Sequence, residues 1–69
     1  MPAISSSAMS FVTYDRRSRQ LTITFKSGGK YVYFEVPAQV YEDLLAAPSA
    51  GRYFDANIRD RYHFQRIWR

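Results

Sequence analysis

Cysteine is absent from this 69-residue chain. That excludes a disulfide framework, thiolate catalysis and any cysteine-ligated zinc or iron–sulfur site. Histidine occurs once, as His63, and no Ser or Cys motif beside it makes a nucleophilic arrangement. The carboxylates Asp15, Glu35, Glu42, Asp43, Asp55 and Asp60 show no metal-ligand spacing. Long apolar runs are also missing: Met1 to Ser10 has neither a basic start nor a hydrophobic stretch of signal-peptide or membrane-spanning length. These gaps lead to the expectation of a non-enzymatic, cytoplasmic protein with no cofactor, no metal and no membrane partner.

Acidic residues are scarce as well, six against ten basic ones, for a formal net charge of +4 and a pI near 9.8. Eight of the ten basic residues are arginine. The planar guanidinium fork pairs with phosphate or carboxylate and stacks on aromatic faces, so an acidic partner such as nucleic acid fits this composition. The same charge also serves solubility alone. What the chain has in abundance is aromatic surface, 17% of its residues. A domain of this size buries only about 60% of the surface its unfolded chain exposes, so a few large rings must supply much of the core. Residues 1–69 are expected to form one domain, with residues 1–5 frayed.

Strand signals dominate the first half. Phe11 to Tyr14 is rich in strand formers and ends at Asp15. Asp15-Arg16-Arg17-Ser18-Arg19 reads as a turn in which Asp15 accepts backbone hydrogen bonds. From Gln20 to Phe25, Leu21, Ile23 and Phe25 alternate with Gln20, Thr22 and Thr24, the pattern of a strand with one buried face. Lys26-Ser27-Gly28-Gly29-Lys30 is a hairpin loop, and Tyr31 to Val36 a third strand. Lying between two strands and lacking a following Gly-Lys-Ser, Gly28-Gly29 is not a phosphate loop.

The hairpin leaves two registers open. A two-residue Gly28-Gly29 turn sets Phe25 opposite Val32 and Ile23 opposite Phe34, and turns Tyr31 and Tyr33 to the other face as a platform. A three-residue Ser27-Gly28-Gly29 loop, with Gly29 left-handed, sets Phe25 opposite Tyr31 and Ile23 opposite Tyr33, which makes the tyrosines core. A one-residue slip exchanges the faces, and the local sequence fits both.

Helical spacing follows. Pro37 suits the start of a helix Ala38 to Ala46, with Val40, Tyr41, Leu44 and Leu45 as its apolar stripe. Pro48 ends it, and Ser49 can cap a second helix on which Phe54, Ile58 and Tyr62 share a face. Within that helix, Asp55 and Arg59 stand at i, i+4, and Arg52 and Arg59 are two turns apart. The tail Tyr62 to Arg69 alternates weakly, as a short strand or an extended segment packed on the domain. The fold expected is α+β: a three-stranded antiparallel meander, then two short helices on one face, with the aromatic tail closing the core.

The order of these motifs is informative. Val12-x-Tyr14-Asp15, the alternating Leu21-x-Ile23-x-Phe25, the Ser-Gly-Gly turn and Tyr31-Val32-Tyr33 come first. Val36-Pro37, Val40-Tyr41, Leu44-Leu45, Gly51-Arg52-Tyr53-Phe54 and Ile58-Arg59 follow. The set resembles the KTSC family, a domain found at the C-terminus of some lysyl-tRNA synthetases and as stand-alone small bacterial proteins. The resemblance runs from about Ser6 to about Phe64 and includes the Ser6-Ser7 pair, which counts against a frayed start there. It departs at Asp55, where the family usually carries Asn. For function the resemblance implies only an association with RNA, through the synthetase context.

Candidate contact residues follow from charge and aromaticity. Arg16, Arg17 and Arg19 lie in the first turn, and Lys26 and Lys30 flank the hairpin loop. Arg52, Arg59, Arg61, Arg66 and Arg69 give the segment from Ser49 onward a surplus of three positive charges. Tyr31 and Tyr33 are the candidates for base stacking. A protein partner, or a monomer that pairs weakly into a homodimer through an exposed strand edge, is the competing expectation, because Tyr, Trp and Arg are also enriched at protein interfaces.

Overall fold

In the computed structural model, which describes residues 9–68, the strongest alternation in the sequence becomes the centre of the sheet. Strand β2 (Gln20–Phe25) pairs antiparallel with β1 (Met9–Asp15) on one side and with β3 (Lys30–Tyr33) on the other. After helices α1 (Ala38–Ala46) and α2 (Ala50–Asn57), β4 (Phe64–Trp68) returns antiparallel beside β3, giving the order β1-β2-β3-β4. The tail is therefore a fourth strand and extends the expected meander. Residues 1–5, the Ser6-Ser7 pair and Arg69 lie outside the described residues.

Both turns of the meander are built on positive φ. Arg17 N donates to Asp15 Oδ1 at 3.0 Å, as the turn chemistry of Asp predicts, and Arg19 closes the loop at φ 58°. At the hairpin neither expected register is adopted. Gly28 N donates to Phe25 O and Phe25 N to Gly29 O, so the loop is Lys26-Ser27-Gly28 with Gly28 at φ 105°. This is a three-residue loop with its glycine in the special position, set one residue earlier than the sequence suggests. Ile23 consequently lies opposite Tyr31 and Leu21 opposite Tyr33. Parity puts both tyrosines on the face that carries Leu21 and Ile23, and the platform arrangement is excluded. β3 is also shorter than the expected Tyr31–Val36, because Glu35 takes φ 56° and turns the chain toward α1.

Both helices cover that one face. Met9, Val12, Leu21, Ile23, Tyr33, Val36, Leu44, Phe54 and Ile58 are buried together there. Each such side chain stabilises the fold by roughly 1.5–3 kcal/mol relative to exposure. Ser49 caps α2, its hydroxyl accepting from Arg52 N at 3.3 Å. The stripe expected on α1 is narrower than its spacing suggests: Leu44 is buried, Val40 and Tyr41 are half-buried, but Leu45 is 38% exposed. α2 is shorter than the expected stripe requires: Phe54 is buried on the helix, while Ile58, its C-cap, and Tyr62 pack on the core beyond its last residue, Asn57.

Candidate nucleic-acid interface

The two cationic clusters are set into different surroundings. At the β1–β2 turn, Arg16, Arg17 and Arg19 are all exposed. The turn is tied to the start of α1: Val36 N donates to Arg19 O at 2.9 Å, the Tyr14 hydroxyl donates to Val36 O, and Tyr14 stacks on Tyr41 with centroids 5.1 Å apart. Arg16 Nη2 reaches Glu42 Oε2 at 3.4 Å, an exposed pair worth little to stability. The two large rings near this turn, Tyr14 and Tyr41, are stacked on one another.

The opposite arrangement stands between α2 and the β3–β4 edge. There Phe25, Tyr31, Tyr33, Phe54 and Phe64 form a continuous aromatic cluster. Register creates it: Tyr33 pairs with Phe64 and Tyr31 with Arg66, so alternate residues of β4 extend the core face past the helices. The cluster floors an open groove of about 700 Å³ whose walls include Ser49, Arg52, Asp55, Arg59 and Asp60. That volume lies in the usual range of small-ligand sites. Arg52 and Arg59 both reach it, Arg59 from the turn that follows α2 rather than from the helix its spacing suggested, and Arg59 Nη1 lies 3.5 Å from Asp55 Oδ1 in an exposed pair.

Within the groove the tyrosines differ. Tyr33 is 4% exposed, wedged edge-on against Phe54 at 5.5 Å. Burial, assisted by the neighbouring Tyr31 and opposed by Arg59, pushes its phenol up to about 12, so it remains a neutral hydroxyl near neutral pH. Tyr31 is half-buried and carries the Arg66 guanidinium over its ring at 5.6 Å, a cation–π contact. Gly29 makes room for that contact. A Cβ there would come within 3.0 Å of Tyr31 Cε1 and 3.8 Å of Arg66 Nη2.

Of the residues singled out in the sequence, Arg52, Arg59, Tyr31 and Tyr33 meet in the groove and Arg66 stands at its edge. Lys30 pairs with Thr24, on the face turned away from the helices, and Lys26 and Arg61 lie in exposed turns. None of these three lines the groove. Sequence reasoning missed Phe64, Asp55 and Asp60 as members of the site. The alternation of Phe64 with Arg66 carries the needed information for Phe64, once the tail is read as a strand paired to β3.

Comparison with known proteins agrees along nearly the whole chain. The KTSC domain family model matches residues 5–62. A protein from Tsukamurella paurometabola is 39% identical over 62 residues, covering 90% of this chain and 92% of that protein. A lysine–tRNA ligase from Nostoc punctiforme is 42% identical over 55 residues, covering 80% of this chain but only 10% of the ligase. The crystal structure of a KTSC domain protein from Yersinia pestis superposes with a TM-score of 0.93 at 33% identity, over 96% of this chain and 93% of that one.

Proposed function

The chain belongs to the KTSC domain family, and we propose that it is a non-catalytic, cytoplasmic binding module whose ligand is RNA, in preference to DNA. The observation that carries this reading is the convergence of Arg52, Arg59 and Arg66 on an aromatic groove. Stacking surface beside cations that can follow a phosphate backbone is the combination by which single strands are held. A similar segment forms about a tenth of the lysine–tRNA ligase from Nostoc punctiforme, whose name gives tRNA as substrate. His63, the single histidine, is exposed beside Phe34. A docking or homodimerising role is the second reading, favoured by Phe11 and Ile67, which are 45% and 49% exposed.

NMR titration with single-stranded RNA, tRNA and an unrelated acidic protein, each at two salt concentrations, separates these readings. RNA binding through several phosphates weakens steeply as salt rises, with a log–log slope of about −0.7 per phosphate neutralised. An absence of shifts with either RNA at low salt would sink the reading, and a response to the acidic protein alone would favour the protein partner.

A further inference from the structure

The groove is not uniformly basic. Asp55 is held by Arg59, but Asp60, exposed on the same wall, makes no ion pair or side-chain hydrogen bond among the described residues. A free carboxylate repels phosphate, so a backbone laid along the groove floor is disfavoured. The backbone belongs beside Arg52 and Arg59 on the groove walls and Arg66 at its edge. The interior offers two different things: apolar ring surface, chiefly Phe64 at 49% exposed and the half-buried Tyr31, and a carboxylate able to accept hydrogen bonds. A neutral, planar group with N–H donors on one edge satisfies both. In an RNA strand that group is an unpaired base.

Resting on the RNA reading above, we infer that the groove holds one unpaired base of a single strand, stacked on Phe64, and that Asp60 makes guanine the preferred base. A carboxylate presents two oxygens side by side and accepts paired N–H bonds from a matching fork. Guanine carries two neighbouring donors, N1–H and N2–H, on its Watson–Crick edge. Uracil presents a single N3–H between two carbonyl oxygens, which the carboxylate repels. Adenine and cytosine each place one amino group beside a ring nitrogen acceptor. In a duplex the same edge is occupied by the partner base, so paired guanine is excluded.

The test uses the 15N-labelled chain and the pentanucleotides UUGUU, UUAUU, UUCUU and UUUUU, with a GC-rich RNA duplex as competitor. UUGUU is expected to bind about tenfold more tightly than UUUUU, the discrimination typical of one bidentate base contact, with shifts at Asp60, Phe64 and Tyr31. Asp60→Asn, an exposed substitution whose fold is checked by spectral dispersion, is expected to bring that ratio to about twofold or less without weakening UUUUU. Equal binding of all four pentanucleotides, an unchanged ratio in Asp60→Asn, or effective competition by the duplex would overturn the guanine assignment while leaving RNA binding intact. No shift with any oligonucleotide overturns both.

Discussion

The β1–β2 turn and the α2–β4 groove carry three arginines each, yet the chemistry around them differs. At the turn, Tyr14 and Tyr41 are spent on each other and on Val36, while each region has one arginine in an exposed ion pair, Arg16 with Glu42 and Arg59 with Asp55. At the groove, the fourth strand brings Phe64 and Arg66 beside Tyr33 and Tyr31, so aromatic surface stays accessible next to cations. Positive charge alone attracts any polyanion, whereas charge joined to exposed rings also grips a strand by its bases. Sheet register thus decides which arginines stand beside exposed rings.

The largest expected effect breaks the groove by breaking the core beneath it. Tyr33→Ala removes a ring that touches Phe54 and Phe64 and is expected to cost roughly 3–5 kcal/mol. For a domain this small that is a loss of tens of degrees or outright unfolding, read by thermal denaturation. A variant melting within a few degrees of wild type would place Tyr33 outside the core.

Phe64→Ala separates binding from folding. Its ring is half-exposed, so stability is expected to fall by about 1 kcal/mol, while RNA affinity falls about tenfold through the loss of one stacking surface. Isothermal titration together with a melting curve checks both halves. Equal damage to the two would mean that Phe64 is structural.

Exchanging the cations sharpens the contrast. Arg52→Ala with Arg59→Ala is expected to flatten the salt dependence of RNA binding by about one to two phosphate contacts. Arg16→Ala with Arg17→Ala is expected to leave it near the wild-type slope. Binding isotherms at several salt concentrations measure this, and the reverse ranking would move the site to the turn.

A pH dependence confined to the alkaline range is also expected. The folded Tyr33 phenol titrates near 12, above its unfolded value of 10.0. Its protonated form is therefore favoured by folding, and the resulting stability is fully present below pH 10 and lost between pH 10 and 12. Denaturant unfolding across that window is expected to show a decline that is smaller in Tyr33→Phe. Parallel profiles for the two proteins would remove Tyr33 as its source.

Much of this fold is legible in the sequence because local rules act on it. Alternation from Gln20 to Phe25 delimits β2, Pro37 and Pro48 bracket α1, and Ser49 caps α2. Register is less legible. With two adjacent glycines, the chain can put either at positive φ, and Gly28 takes that role because Phe25 then pairs with Gly29. The groove follows from a pairing between Tyr33 and Phe64 that are separated by two helices. No local preference encodes that contact, and so the aromatic members contributed by β4, and the carboxylates facing them, stay hidden until the strands are laid side by side.

The most direct measurement is a residue-resolved NMR map of the chain with single-stranded RNA at low salt. The perturbed amides are expected to cluster on α2, the turn after it, β3 and β4 around Arg52, Arg59, Phe64 and Arg66, with those from Arg16 to Arg19 nearly still. Perturbation centred on Arg16 to Arg19, or none anywhere, would contradict that expectation.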